Sequence, residues 1–223
     1  MTDVNGLVTE QPAGWQYRLA AALLREGLIR PNQQLADLQR GAIFRATKYL
    51  TVDEYSRWGQ ERIDDLVALA ELIVTTLEDD LTPACRDAVE AGPVRQAVDR
   101  LLAAGEQLAA WEIEVHFTRV ADGEVQSVKA LMDGWAAALL RQLGQLSDEL
   151  ERLVERAEPG QSYTLPLTFT PPAGVSEYNQ AMNRLTRQRQ AASGQSGLSC
   201  FQVLAAILVI GVIVLCLLAG GAG

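Results

Sequence analysis

The chain has 223 residues and a formal net charge of −9, with three cysteines and one histidine. This acidic balance argues against nucleic-acid binding, because phosphates attract surfaces rich in Lys and Arg. The odd number of cysteines, without paired spacing, favours neither a disulfide framework nor a zinc site. Without the apolar C-terminal segment and the linker that precedes it, the chain keeps roughly 155 residues, which is enough for one domain with a sizeable core.

The first part of the chain is predicted to be helical. The segment from Trp15 to Leu28 is rich in Ala and Leu. Gly27 and Pro31 predict a break, followed by a second helix over about Asn32 to Tyr49.

A third helix is predicted to begin after Thr51, because Thr51 and Glu54 have the spacing of a capping box. Apolar residues then recur at helical spacing: Val52, Tyr55, Trp58, Ile63, Leu66, Ala70, Ile73 and Leu77. The pair Thr82-Pro83 is typical of an N-cap followed by a first-turn proline, so a short helix to about Glu90 is expected next.

The second half of the body is predicted to hold two long helices. Gly92-Pro93 begins the first, and Asp122-Gly123 turns the chain into the longest helix, which runs to about Ala157. Its apolar stripe repeats near every 3.5 residues: Val125, Val128, Met132, Trp135, Leu139, Leu143, Leu146, Leu150 and Leu153. Such a repeat favours shallow packing of antiparallel helices, and short turns make successive helices neighbours. The predicted fold class is therefore an all-α antiparallel bundle with almost no strand residues.

A strip of alternating residues follows Glu158-Pro159-Gly160. Its four apolar side chains fall on one face of an extended segment: Tyr163, Leu165, Leu167 and Phe169. Pro166 makes this segment an edge strand or a polyproline-like strip rather than a central strand, because proline has no N–H to donate. Two interpretations stay open: the strip covers a groove of the bundle, or it binds a partner or a second copy by strand addition.

The C-terminal segment from Cys200 to Ala219 is uncharged, and as a helix it is about 30 Å long, the thickness of a bilayer core. It is predicted to be a single transmembrane anchor, since a helix satisfies its own backbone in lipid. The residues assigned to the anchor are Cys200, Phe201, Val203, Leu204, Ile207, Ile210, Gly211, Val214 and Leu218.

Charge predicts the orientation of this anchor. A polar helix from about Ser176 to Ala192 carries Arg184, Arg187 and Arg189 just before the apolar segment, and no Lys or Arg follows it. The positive-inside rule places the N-terminal body in the cytosol and the C-terminus across the membrane. No secretory signal is visible near the N-terminus. The predicted organisation is a helical bundle over 1–158, the strip, short polar helix and linker over 159–197, and the anchor over 198–219.

Few residues suggest chemistry. Glu112 lies one turn before His116, but the spacing of a bundle metal centre requires Glu-x-x-His on two helices, and residue 113 is Ile. Glu78, Asp79 and Asp80 form an acidic patch at a predicted helix end, which favours a solvated surface or a docking patch for a basic partner over a Mg²⁺ site. No glycine-rich phosphate loop or nucleophile elbow is present in the sequence, and no cofactor is expected.

These patterns favour a non-enzymatic, tail-anchored adaptor or scaffold whose body binds a protein at the cytosolic membrane face. The alternative is a membrane-disrupting effector, in which self-association of the body clusters the transmembrane helices. A helical-bundle enzyme is the third interpretation. The expected partners are membrane lipid and a protein or a second copy.

Overall fold

The fold is known from a computed structural model that describes residues 13–120, 129, 131–156, 176 and 178–191. Most of these residues are helical, which confirms the all-α class. The chain divides into two compact units, Met1–Val175 and Ser176–Gly223. In the second unit, residues 178–191 form one helix, on which Arg184, Arg187 and Arg189 are exposed.

The chain enters the first unit through two nearly continuous helices, α1 (Trp15–Gly27) and α2 (Ile29–Gln39). Only Leu28 separates them, and its backbone is itself helical, with φ −79° and ψ −8°. The predicted break at Gly27 is thus a point of close approach: a Cβ atom there would lie 2.4 Å from Cδ1 of Leu102. A larger residue at position 27 would require the end of the Leu102 side chain to shift.

Helix α2 ends at Gln39, so the prediction of a helix to Tyr49 is wrong. Gly41 has φ 68°, its N–H donates to the carbonyl of Leu38 at 3.0 Å, and the N–H of Ala42 donates to the carbonyl of Asp37 at 2.8 Å. This pair of bonds is a Schellman motif, which terminates a helix at a glycine in the left-handed conformation. Residues 42–47 then have no regular secondary structure.

A short parallel strand pair was not expected from the sequence. Strand β1 (Lys48–Leu50) pairs with β2 (Thr118–Val120), with Lys48 opposite Thr118 and Leu50 opposite Val120. With three residues in each strand, the expectation of almost no strand residues still holds for the described part of the chain. Each is only three residues long, too short to show an alternating pattern of its own.

Helix α3 (Val52–Thr75) begins as predicted. The hydroxyl of Thr51 accepts the N–H of Glu54 at 3.3 Å, and the Glu54 carboxylate accepts the N–H of Thr51 at 2.8 Å. The capping box is therefore confirmed. All eight residues of the predicted apolar stripe, from Val52 to Leu77, are buried.

The chain continues from α3 through a π-helix (Thr76–Leu81) into α4 (Thr82–Asp87). The prediction that Thr82 is an N-cap is wrong, since the preceding Leu81 is helical, with φ −74° and ψ −45°. The Thr82 hydroxyl instead donates to the carbonyl of Leu77 at 2.7 Å, within the wider π-turn. Pro83 does occupy the first turn of α4.

The core of the first unit is built around α5 (Ala91–Phe117), whose 27 residues make it the longest helix of the described segments. The prediction that the following helix is longer is wrong for the residues described. The indole of Trp58, near the start of α3, donates a hydrogen bond to Glu114 near the end of α5. Asp80 of the π-helix, which continues α3, pairs with Arg100 in the first half of α5. Helices α3 and α5 are therefore antiparallel.

The connected helices α1 and α2 run alongside α5 and parallel to it. Gln16 of α1 bonds the carbonyl of Ala88 just before α5, and Arg30 of α2 pairs with Glu106 in the second half of α5. The expectation that successive helices fold back on each other is thus wrong for α1 and α2. The near-helical Leu28 joins them without the turn that folding back would require.

The last helix of this unit, α6 (Trp135–Arg156), starts later than predicted. Residues 131–134 form a turn that ends at Gly134, with φ 89°. Within α6, four stripe residues are buried as expected: Leu139, Leu143, Leu146 and Leu150. Trp135 and Leu153 are only half-buried, while Met132 is buried in the turn before the helix. Val125 and Val128 lie outside the described residues.

Helices α5 and α6 are antiparallel. Gly134, before α6, contacts Glu112 near the end of α5, and Leu140 lies next to Gly105 in the middle of α5. Within the described part of the chain, no helix is both long and apolar enough to cross a bilayer. The predicted anchor, 200–219, lies outside the described residues.

Candidate partner-binding face of the helical body

One face of α5 borders two open grooves. Pro93, Arg100, Gln107 and Glu114 follow one another at intervals of seven residues, so they share approximately one side of the helix. All four line one of the grooves. The opposite walls come from α3 for the groove near the end of α5, and from the π-helix and α4 for the groove near its start.

The larger groove, which we call the α3–α5 groove, has a volume of about 490 Å³. Its floor is apolar, with Leu72 44% exposed. On the α5 side of the groove, the indole of Trp111 is held in place, because its Nε1–H donates to the carbonyl of Arg62 at 2.6 Å. The lining residues are Arg62, Asp65, Ala68, Leu69, Leu72, Gln107, Ala110, Trp111 and Glu114.

Charged side chains close one edge of the α3–α5 groove. Arg62 pairs with Asp65 at 2.7 Å and with Glu114 at 3.0 Å, and Trp58 donates to the other oxygen of Glu114 at 3.1 Å. Both carboxylates are about half exposed, so the pairs contribute little to stability. They hold fixed polar groups beside an apolar floor, as at the rim of a protein interface.

The smaller groove, which we call the acidic groove, has a volume of about 330 Å³. Asp79, Asp80 and Asp87 lie around apolar walls of Pro83, Ala84, Pro93 and Ala97. Asp80 pairs with Arg100 at 2.5 Å. Asp87 pairs with Arg86 at 2.6 Å, and the hydrogen bond from Arg86 lowers the pKa of the Asp87 carboxyl.

The predicted acidic patch is thus divided between the groove and the outer surface. Asp79 and Asp80 line the acidic groove, and Glu78 is exposed but does not line it. The patch lies on the π-helix, a geometry that often occurs at functional sites. Among the described residues, no three side chains of His, Cys, Asp or Glu are grouped as metal ligands would be.

Glu112 and His116 differ in burial and in hydrogen bonding. Glu112 is 8% exposed, and its Oε1 accepts the N–H of Gly134 at 2.7 Å. Burial raises the pKa of Glu112, and the hydrogen bond from Gly134 opposes that shift. His116 is half-buried, and its pKa is lowered by burial and by the nearby charges of Lys129 and Arg119. Glu112 is therefore a hydrogen-bond acceptor for the backbone at the start of α6.

Two predicted sites fall outside the described residues. They are the strip of Tyr163, Leu165, Leu167 and Phe169, and the anchor from Cys200 to Leu218. The structure places neither of them.

The α3–α5 groove itself was not predicted from the sequence. Leu69 and Leu72, three residues apart, widen the apolar stripe of α3 to one side, and this was the available signal. The sequence does not reveal whether another helix covers Leu69 and Leu72. Here α5 presents the small residue Ala110 at this point, and Leu72 stays partly exposed.

Comparisons with known proteins give no family for this chain. No protein-family model matches it, and no curated protein or solved structure is significantly similar to it. Its own residues are therefore the basis for proposing a function.

Proposed function

We propose that this protein is a non-enzymatic, tail-anchored adaptor whose helical body binds a protein partner at the cytosolic face of a membrane. The observation that carries the proposal is the face of α5 with its two grooves. Its apolar floor, fixed polar edge and acidic end have the composition of a docking surface.

The chemistry of this face favours a basic amphipathic helix as the partner. From Pro93 to Glu114 the face is roughly 30 Å long, the length of a helix of about 20 residues. Apolar side chains of such a helix would contact Leu72 and Ala110, as in other helix-in-groove complexes. Lys or Arg side chains would reach Asp79 at the acidic end, where a carboxylate favours positive charge.

Membrane attachment is supported by the sequence. The segment from Cys200 to Ala219 has no charged residue, and the Arg residues at 184, 187 and 189 precede it. These Arg side chains are exposed on a helix, which suits contact with anionic headgroups on the cytosolic side.

A single substitution tests the docking face. Leu72→Asp would place a charge on the apolar floor, and we expect it to reduce partner recovery at least tenfold when the full chain is isolated from its host with crosslinking. Ile29→Asp is the matched control, because Ile29 is also an exposed apolar residue but lies on α2, away from both grooves. Equal recovery of the same proteins by both variants and the native chain would contradict the proposal.

The anchor is tested with the full chain and a chain that ends at Gly197. We expect alkaline carbonate to leave the full chain in the membrane pellet and the shorter chain in the supernatant. Release of the full chain would contradict the anchor. If an impermeant dye enters cells that express the full chain but not cells that express the shorter chain, the membrane-disrupting alternative is supported instead.

A further inference from the structure

A loop between α2 and α3 exposes two aromatic side chains. Phe44 is 91% exposed and Tyr49 is 71% exposed, whereas the neighbouring Leu50 is buried. The loop is held at both ends, by the Schellman motif at Gly41 and by the pairing of β1 with β2. We call residues 40–49 the basic–aromatic loop.

This loop is a positively charged part of an acidic protein. No acidic residue occurs between Asp37 and Asp53, a stretch that contains Arg40, Arg45 and Lys48. Arg45 and Lys48 are exposed. Hydrogen bonds from Thr51 lower the pKa of Glu54, and the nearby charges of Arg57 and Lys48 add to this. The loop therefore carries exposed cations and exposed aromatic rings within one short stretch of the chain.

The loop and the acidic groove lie at opposite ends of α5. The acidic groove includes Pro93 and Arg100 near the start of α5, whereas the loop is paired with β2, directly after its end. Since α5 has 27 residues, roughly 40 Å separate its two ends. This exceeds the screening distance of about 8 Å at physiological salt, so the two ends act independently on charged surfaces.

Exposed aromatic rings flanked by Arg and Lys are suited to the interface of an anionic bilayer. Tyr and Trp rings are enriched at headgroup depth, and Phe rings insert at the boundary between headgroups and acyl chains. A Lys or Arg near the surface gains about 1 kcal/mol from anionic lipid. We propose that the basic–aromatic loop docks on anionic phospholipid headgroups, with Phe44 and Tyr49 entering the interface and Arg45 and Lys48 contacting phosphates. This rests on the membrane location proposed above, and it would turn the acidic groove towards the cytosol.

The test uses the full chain reconstituted in vesicles, with an environment-sensitive fluorescent amino acid at position 44. A chain labelled at position 89 is the matched control, because Val89 is 87% exposed and follows Ala88 of the acidic groove. On vesicles containing phosphatidylserine, we expect a blue shift at position 44 that is several-fold larger than on pure phosphatidylcholine. High salt should reverse this shift, and position 89 should not change.

A charge variant completes the experiment. Arg45→Gln with Lys48→Gln should remove most of the extra shift at position 44, whereas Arg95→Gln, an exposed residue near the start of α5, should not. No shift at position 44, or equal shifts on both vesicle types, would overturn the proposal. A shift without vesicles that grows with protein concentration would overturn it in favour of a second copy. If one of these results occurs while alkaline carbonate still leaves the full chain in the membrane pellet, the loop proposal fails and the proposed anchor stands.

Discussion

The contact between Glu112 and the start of α6 yields a prediction that depends on pH. Gly134 directly precedes α6, and its carbonyl accepts the first helical bond, from the N–H of Ala138 at 2.9 Å. Its own N–H donates to Glu112 of α5 at 2.7 Å. A side chain from another helix thus satisfies one of the amides that a helix start leaves without a partner.

Two substitutions separate the hydrogen bond from the charge. Glu112→Ala leaves the Gly134 N–H without its acceptor, so we expect a loss of about 1–3 kcal/mol in the free energy of unfolding. Glu112→Gln keeps an acceptor oxygen for the Gly134 N–H and removes a buried charge, so at neutral pH it should cost less than Glu112→Ala.

The pH dependence follows from the raised pKa of Glu112. Burial is its main cause, and the nearby charge of Asp133 adds to it. Above the ordinary value of 4.5, the folded state therefore keeps a proton that the unfolded chain has released. The native chain should lose stability relative to Glu112→Gln as pH rises from 4.5 to the folded pKa, and the difference should then stay constant.

Urea unfolding of the full chain in mild detergent, followed by tryptophan fluorescence at several pH values, measures these differences. A native chain that gains stability relative to Glu112→Gln over this range would refute the role of burial. A change below about 0.5 kcal/mol for Glu112→Ala would refute the importance of the hydrogen bond.

Three further substitutions test the fold by the same unfolding assay. Leu139→Ala should cost about 2–5 kcal/mol, because Leu139 is buried in the core; a cost under about 0.5 kcal/mol would mean that this face is solvated. Gly41→Ala should cost about 1–2 kcal/mol, because its φ of 68° is unfavourable for a side chain. Its control, Gly92→Ala, has open space and should be neutral or stabilising, so equal losses at both glycines would contradict the assignment. Thr51→Ala should cost about 0.5–2 kcal/mol through loss of the cap, and an unchanged midpoint would contradict this.

The sequence predicted features that depend on local chemistry. The capping box at Thr51 and the buried stripe of α3 were both confirmed, since each depends only on neighbours within the same helix. Gly41 and Gly134 were available as signals for the end of α2 and the start of α6. Around Gly134, the apolar residues Met132, Trp135 and Leu139 continue at helical spacing, so the pattern alone predicts no break there.

Features that depend on distant parts of the chain could not be predicted in the same way. The pairing of β1 with β2 joins segments about 70 residues apart, with three residues in each strand. The hydrogen bond of Glu112 depends on where Gly134, directly before α6, lies. The α3–α5 groove likewise exists because Ala110 of α5 leaves Leu72 partly uncovered, which is a property of the assembled helices.

The short strand pair has a consequence for local unfolding. Three residues on each side give few hydrogen bonds, and the segment that they close contains the whole of α3, the π-helix, α4 and α5. Such pairs open in sub-global fluctuations at a lower free energy than a central helix does. Amide hydrogens of Tyr49 and Leu50 should therefore exchange with deuterium sooner than those of Leu101 and Leu108 in α5. Each opening would release residues 42–47 from one of their two attachments while the helical core stays folded.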